Sequence, residues 1–528
     1  MKHAFLFFSF VGCIAEIKAQ FTVQRYYQAV GSATMALNEL SSGDLFTGIA
    51  RQSGVSLMDP LGHILHAQSY ALTPFTVLKS VRRHTDNEIY FVGGVIVDSC
   101  AVNESLEVDP LFGKMDSLGN ILSSHRYQLN AVTCTNIALD VEITADGGAV
   151  VWGDDEGLVA LRVEHTGIPV WSKQFAHHGS FAFIRELPGG ELLAGLNMDT
   201  AGVVIARLNS AGDFQWCKSY MRPRGKVQDC VVESDSVFVI AGFTDSIGST
   251  NVTIPLPPDY QPKLFLMTLN GAGDVQWCKG YSGEPRWYAR RGPQLVKTLD
   301  AKYVLLANIG QPNFDLEYRP FLMKVDQNGD TIWTRSMGKS GYNYRTSDLL
   351  ACSDGSFYYD GLAYGDFGSL TSAAYLFKTD PLGRLPCDER VHPIEVIDLF
   401  PTDSSLTLAF VEGAEAYPIS NTFADWGSIE LLDSCTLNLG LSMSRSSSRQ
   451  LQVRPNPNTG RFTVHFDDPL TVDSFYSVYD NVGRLLYQRP LAPGKENEEI
   501  DLSRFGKGTY LLRLTNREGV CNERVVVQ

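Results

Sequence analysis

The chain has 528 residues, with 44 Lys and Arg against 59 Asp and Glu, giving a formal net charge of -15 and a pI near 5.2. That balance argues against nucleic acid or an anionic membrane as a partner, because both reward clustered cationic side chains. It suits an exported globular protein whose acidic exterior keeps it soluble.

Residues 1–19 open with Lys2 and His3, continue through a compact apolar run from Ala4 to Ala15, and end on Ala19 before Gln20. This is signal-peptide grammar, too short to span a bilayer, and it predicts cleavage after Ala19. Cys13 in FVGC offers a competing lipoprotein cysteine, but Phe10 stands where leucine is expected. No later segment is a long uninterrupted apolar run, so the mature chain is expected to have no transmembrane segment. Without Cys13, Cys100, Cys134, Cys217, Cys230, Cys278, Cys352, Cys387, Cys435 and Cys521 remain. They are odd in number, so at least one stays unpaired, and with no CxxC among them they give no zinc or redox signature.

The body, residues 20–440, is repetitive. Aligned on one glycine, SLMDPLGHILHAQSY, GKMDSLGNILSSHRY, LRVEHTGIPVWSKQF, ARLNSAGDFQWCKSY, MTLNGAGDVQWCKGY, MKVDQNGDTIWTRSM and FKTDPLGRLPCDERV recur. The glycines are Gly62, Gly119, Gly167, Gly212, Gly273, Gly329 and Gly383, six intervals of about 54 residues on average. Three positions earlier stand Asp59, Asp116, Glu164, Asn209, Asn270, Asp326 and Asp380. Four positions later come Trp171, Trp216, Trp277 and Trp333, and eight later Tyr70, Tyr127, Phe175, Tyr220 and Tyr281. An Asx side chain bonds its own backbone two residues on, and Gly supplies the left-handed residue that closes a tight turn. The unit is thus strand, turn, strand.

A second hairpin signal precedes each one, in SSGDLFTGI, TDNEIYFVGGV, DGGAVVWGD, PGGELLAGL, SDSVFVIAGF, LDAKYVLLANI and DGSFYYDGL. Four strands per repeat that cannot bury their apolar faces alone predict an all-β fold, a β-propeller. TDSSLTLAFV and SIELLDSC read as an incomplete eighth unit, with Asp433 near the repeat spacing beyond Asp380. The N-terminal FTVQRYY supplies its missing strand and closes the ring. That count gives eight blades, or seven if the partial unit is a cap. The array resembles the lvkld..Gd..W.k..y repeats of exported Bacteroidetes proteins. A Ser-rich stretch at 441–450 reads as a flexible linker.

Residues 451–528 alternate with a period of two in FTVHF, FYSVYD, LLYQ, YLLRL and RVVV, which predicts a small antiparallel β-sandwich. Their order of motifs is LQVRPNPNTGRFTVHF, FYSVYDNVGRLLYQ, EEIDLSRFGKGTYLLRLTN and VCNERVVVQ. It resembles the type A C-terminal sorting domain of the Bacteroidetes type IX secretion system. The resemblance rests on Pro455, Asn456, Pro457, Gly460, Gly483, Gly508 and Tyr510, with Arg524 where many members have Lys. It implies export through the periplasm, the outer-membrane secretion machinery as partner, and a secreted or cell-surface destination.

Chemistry is sparse. His177 and His178 would point to opposite faces of a strand, and Asp154, Asp155 and Glu156 lack the oxygen spacing of an EF-hand. There is no G-x-S-x-G, H-E-x-x-H or P-loop, and no cofactor is expected. The Trp row could stack sugars, but a Trp recurring at one repeat position reads as packing between blades. The longest interruptions, 248–263 and 311–320, with Tyr260, Trp287, Tyr288 and Tyr318, offer a rim for a glycan or protein ligand. Two classes stay open. One is a binding, scaffold or adhesin-like protein; the other is a hydrolase or lyase acting on polysaccharide or peptide, with carboxylates from different blades meeting in the channel.

Overall fold

The structure is a computed structural model. It describes residues 22–28, 34–49, 54–71, 76–99, 106–129, 136–155, 158–175, 179–198, 202–220, 225–244, 263–282, 288–289, 293–310, 318–367, 370–385, 389–391, 393–418, 422–424, 431–436, 451–466, 474–479, 485–492, 494–516 and 519–528. The predicted signal peptide, the predicted linker at 441–450, His177, His178, Glu156, Tyr260, Trp287 and Gly483 lie outside them. The chain divides into two units, Met1–Leu437 and Asn438–Gln528.

The first unit is a ring of seven antiparallel sheets. Blade 1 is built from Thr34–Glu39, Leu45–Ile49, Gly54–Met58 and Ile64–Ala71, hydrogen-bonded in sequence order. Blades 2 to 5 repeat the pattern, beginning at Thr76, Asn136, Gly179 and Gly225. Blade 6 opens with Gln294–Lys297, beside the short Tyr288–Ala289, both on Tyr303–Gly310. Blade 7 comprises Asn343–Ala351, Phe357–Phe367, Leu370–Thr379 and, as fourth strand, the N-terminal Val23–Gln28. The seven first strands touch one another in a closed circuit, so they line the axis. Second and third strands are largely buried on both faces: Tyr303–Gly310 and Tyr318–Val325 are buried throughout. That pattern belongs to strands sandwiched between neighbouring blades, and each buried Leu, Ile or Phe contributes roughly 1.5–3 kcal/mol.

FTVQRYY closes the ring as expected, but on the seventh unit and not on an eighth. Val23 pairs with Lys378, and the register runs on to Gln28 opposite Ala373. The place is open because, among the described residues, the seventh unit supplies no fourth strand of its own. After Gly383 the chain reads RLPCDERVHP, and Pro386 and Pro393 cannot donate to a ladder.

The supposed eighth unit is instead a strap. Arg390 bridges Ser336 of blade 6. Glu395–Asp398 pairs with blade 5, Ser404–Ser405 with blade 4, Phe410–Val411 with blade 3, Ala414–Pro418 with blade 2 and Thr422–Ala424 with blade 1. Leu431–Thr436 then pairs with Val23–Gln28 of blade 7. Among the described residues blade 6 receives only the single bridge at Arg390, and every other piece adds a fifth strand to the outer edge of its blade. Asp433, whose spacing suggested a repeat turn, sits inside a strand opposite Tyr26.

The second unit is a sandwich of a three-stranded sheet (Leu451–Arg454, Arg461–Phe466, Asn497–Asp501) and a four-stranded sheet (Leu485–Leu491, Ser474–Tyr479, Gly508–Asn516, Gly519–Val527). Val453, Phe462, Val464 and Ile500 of one meet Tyr476, Val478, Leu512, Leu514 and Val525 of the other in a single core.

Candidate functional site: the axial channel and the two ends of the ring

One end of the ring is built from the repeat turns, which join third to fourth strands. Asp59 Oδ1 accepts the N–H groups of Leu61 (2.9 Å) and His63 (2.8 Å), and Gly62, at φ +76°, donates to the Asp59 carbonyl at 2.8 Å. Asp116, Asn209, Asn270, Asp326 and Asp380 make the same pair of side-chain bonds, with Gly119, Gly212, Gly273, Gly329 and Gly383 likewise left-handed. The aromatic positions tie each turn to the preceding blade. The hydroxyls of Tyr27, Tyr70, Tyr127, Tyr220 and Tyr281 donate to the carbonyls of Gly62, Gly119, Gly167, Gly273 and Gly329 at 2.5–2.7 Å. Trp171 and Trp216 donate Nε1 to Ser210 and Gly271 of the next turn, and Trp277 and Trp333 lie against Gly329 and Gly383, where a Cβ would be 2.9 and 2.4 Å from the indole. The row is therefore packing between blades and not a sugar platform.

The axis holds an ion cluster that alignment on the repeat glycine does not reveal. Arg82 of blade 2 reaches Asp140 of blade 3 (3.0 Å) and Asp348 of blade 7 (3.4 Å). Arg185 of blade 4 reaches Asp229 of blade 5 (2.7 Å) and Glu142 of blade 3 (3.7 Å). Bulges in the first strands, between Ala138 and Asp140, Val227 and Asp229, and Thr346 and Leu349, break the alternation and re-aim these side chains. The carboxylates are fixed by backbone as well. Asp348 accepts Leu37 N–H (2.8 Å) and Leu349 N–H (3.0 Å), and Asp229 accepts Leu295 N–H (2.9 Å) and Cys230 N–H (2.8 Å). Ser80 Oγ donates to Asp140 at 2.6 Å.

Two guanidiniums thus face four carboxylates. Burial pushes Asp348 and Glu142 above the usual carboxylate range, and the arginines offset this only in part. Asp140 also suffers burial, yet Arg82, Ser80 and Arg185 together outweigh it and hold its pKa low. Aligning on the upstream hairpin would have exposed the signal, since Asp140 and Asp348 both stand four residues before the residue that opens that turn, Thr144 and Cys352.

At the other end of the ring emerge the connections from second to third strands and from each blade to the next. The long interruptions at 248–263 and 311–320 fall between second and third strands, and all but Lys263 and Tyr318–Pro320 of them lie outside the described residues. Tyr318 is 8% exposed at the start of its strand, so it supplies no rim contact. Among the described residues no cluster of His, Cys, Asp and Glu has the geometry to hold a metal ion, and Cys217, Cys230, Cys278 and Cys352 are buried free thiols.

In the sandwich, Asn456 of the predicted signal holds the last strand. Asn456 donates Nδ2 to the Arg524 carbonyl (2.6 Å) and accepts Val526 N–H (2.9 Å). Asn458, just beyond Pro457, exchanges backbone bonds with Val526 and Gln528 at 2.9 and 2.8 Å. Gly460 has φ +104°, and a Cβ there would lie 2.7 Å from Ser503 Cα. Pro455 and Pro457 are exposed, Gly508 opens its strand, and Tyr510 Oη donates to the carbonyls of Phe505 and Gly506 at 2.9 and 2.8 Å.

These features define a seven-bladed β-propeller joined to a small β-sandwich. Residues 452–528 match the family described as secretion system C-terminal sorting domain, so the chain is a type IX secretion substrate exported to the cell surface or beyond. No curated protein matches the chain. Among solved structures it is similar to a protein of unknown function from Bacteroides caccae, at 12% identity over 57% of this chain and 93% of that one (TM-score 0.34). It is also similar to the Dos1 propeller, at 9% identity over 70% and 97% (TM-score 0.41), and to polysaccharide lyase Uly1, at 10% over 66% and 89% (TM-score 0.41). No helix among the described residues is long and apolar enough to cross a membrane.

Proposed function

We propose that this is an exported binding or scaffold protein, adhesin-like in action, whose contact surface is the end of the ring where the variable connections emerge. On this reading residues 1–19 are a signal peptide, 20–440 the propeller and 441–450 a linker to the sorting domain, in a Bacteroidetes host. The observation that carries it is the contrast between the two ends. The turn end repeats one hydrogen-bond pattern, whereas second-to-third connections run from residues 156–157 in blade 3 to residues 245–262 in blade 5. Binding residues concentrate on loops of varying length held by a rigid scaffold. Tyr260 lies in the second-to-third connection of blade 5 and Trp287 in the connection from blade 5 to blade 6, and both suit a glycan or a protein surface.

The hydrolase alternative draws on Asp140 and Asp348, carboxylates from different blades that meet on Arg82. Their oxygens are committed to a guanidinium, to backbone N–H groups and to Ser80, which suits a structural plug better than a nucleophile and an acid. The test is a screen of soluble polysaccharides and extracellular proteins with the mature chain. Replacing residues 248–260 with a short Gly-Ser linker should abolish binding and leave the melting temperature unchanged. Binding that survives that replacement and is lost on altering the turn end would refute the reading. Polysaccharide turnover abolished by Asp140→Asn would favour the alternative. In the native host, removing residues 451–528 should trap the chain in the periplasm.

A further inference from the structure

The strap is more than an edge cover. It lays apolar side chains into successive clusters between the blades: Leu408, 6% exposed, enters the core shared by blades 3 and 4, while Leu399 and Ile394 pack against the next two. Its carboxylates meet a basic residue that recurs six positions after the repeat glycine. Asp403 lies 3.2 Å from Lys218, Glu412 pairs with Lys173, and Glu389, just ahead of the strap, lies 2.9 Å from Arg335. Those lysines also reach Asp274 and Asp213 in the following blade's turn, both at 2.9 Å. One cation thus holds its own blade, the next blade and the strap together.

The far end of the strap falls on the one strand that comes from the other end of the sequence. Val23–Gln28 is paired on one edge by Leu370–Thr379 and on the other by Leu431–Thr436. The closing strand is therefore held on both of its edges.

We propose that residues 390–436 form a circumferential clasp, docked on a completed ring and fastened on the N-terminal strand, which holds the seven blades shut. Two native thiols report on it. Leu406 N–H donates to the Cys217 carbonyl (2.9 Å) and Leu399 N–H to the Cys278 carbonyl (2.8 Å), so these cysteines lie directly under the strap. Cys230 is on a first strand near the axis, and Cys352 opens a turn in blade 7.

The experiment measures alkylation of each thiol in the folded full-length chain by mass spectrometry. Leu408→Asp should speed labelling of Cys217 by about tenfold or more, through local opening of the strap, and leave Cys230 unchanged. Unchanged labelling of Cys217, or all four thiols reacting together, would overturn the proposal, the second because the strap would then be part of the core and not a clasp on it. The converse variant is Gln24→Cys. Gln24 stands opposite Cys435 in the register of the two strands, so the introduced cysteine and the native one occupy directly opposed positions of the ladder. Once oxidised, this variant should melt higher than its reduced form. Equal melting temperatures would show that the N-terminal strand is not where the strap is fastened.

Discussion

Replacing the repeat tyrosines by phenylalanine should loosen the ring one joint at a time. Tyr27, Tyr70, Tyr127, Tyr220 and Tyr281 each donate to a glycine carbonyl of the next blade, and all five are at most 6% exposed. Removing the hydroxyl forfeits a net bond of about 1 kcal/mol and leaves a buried carbonyl less satisfied, so about 1–2 kcal/mol per site is expected. The sites lie in different interfaces, and their effects should add. At about 2 cal/mol/K of unfolding entropy per residue, a ring of this size loses roughly 1 °C for each kcal/mol. Single variants should thus melt about 1–2 °C lower in calorimetry and the five together about 5–10 °C lower. Nature supplies the control at the junction of blades 3 and 4. Phe175 stands there without a hydroxyl and packs on Phe214, Phe181 and Phe410 at centroid distances of 5.5, 6.0 and 5.8 Å. A quintuple variant melting with the parent would refute the view that these bonds join the blades.

Arg82→Met should cost about 3 kcal/mol in urea unfolding, because it strands Asp140 and Asp348 in the channel, and Asp140→Asn with Asp348→Asn in the same chain should recover most of it. No recovery would mean that Arg82 acts by packing alone. Burial pushes the Cys217, Cys278 and Cys352 thiols up to about 12 from an ordinary 9.0. A group whose pKa is raised by folding gives its full stability below the unfolded value and loses it as pH climbs to the folded value. The melting temperature should therefore fall between pH 9 and 12 and fall less in a Cys217→Ala/Cys278→Ala/Cys352→Ala chain; the same slope in both would count against the thiols. Gly460→Ala forces a side chain into left-handed backbone and against Ser503, so the sorting domain should lose about 2 kcal/mol or more, and export of the chain should drop in fractionation.

Most of the ring was legible because its signals are local. The acid or amide three residues before the glycine, the glycine itself and the aromatic eight residues on all act within one hairpin or between adjacent blades, so a single spacing reports them. The tyrosines were visible as a pattern, but their partner carbonyl belongs to the next repeat, and no spacing within one unit names it. The channel cluster was hidden for a different reason. Its members come from blades 2, 3, 4, 5 and 7, and the bulges that aim them erase the period-two alternation that marks a strand. The strap defeated sequence reasoning through brevity. Ser404–Ser405 and Phe410–Val411 are two residues each, below the length at which alternation can be read, and Asp433 fell near the repeat spacing by chance.

The order of elements in the chain gives the strap its place in an exported protein. The ring needs the N-terminal strand for blade 7, and that strand needs Leu431–Thr436 on its outer edge. Closure therefore uses Val23–Gln28 and Leu431–Thr436, both within the first unit. The sorting domain has its own core, drawn from Val453 to Val527, and Asn456 of its signal holds its own last strand. A cut anywhere in 438–450 would separate the address from the ring without removing any of the described strands. An edge-exposed propeller would leave outer strands open to pairing with other chains once outside the cell, and the strap covers at least part of that edge on every blade. The same segment that frustrates a count of eight blades thus pairs with the outer edge of the ring blade after blade.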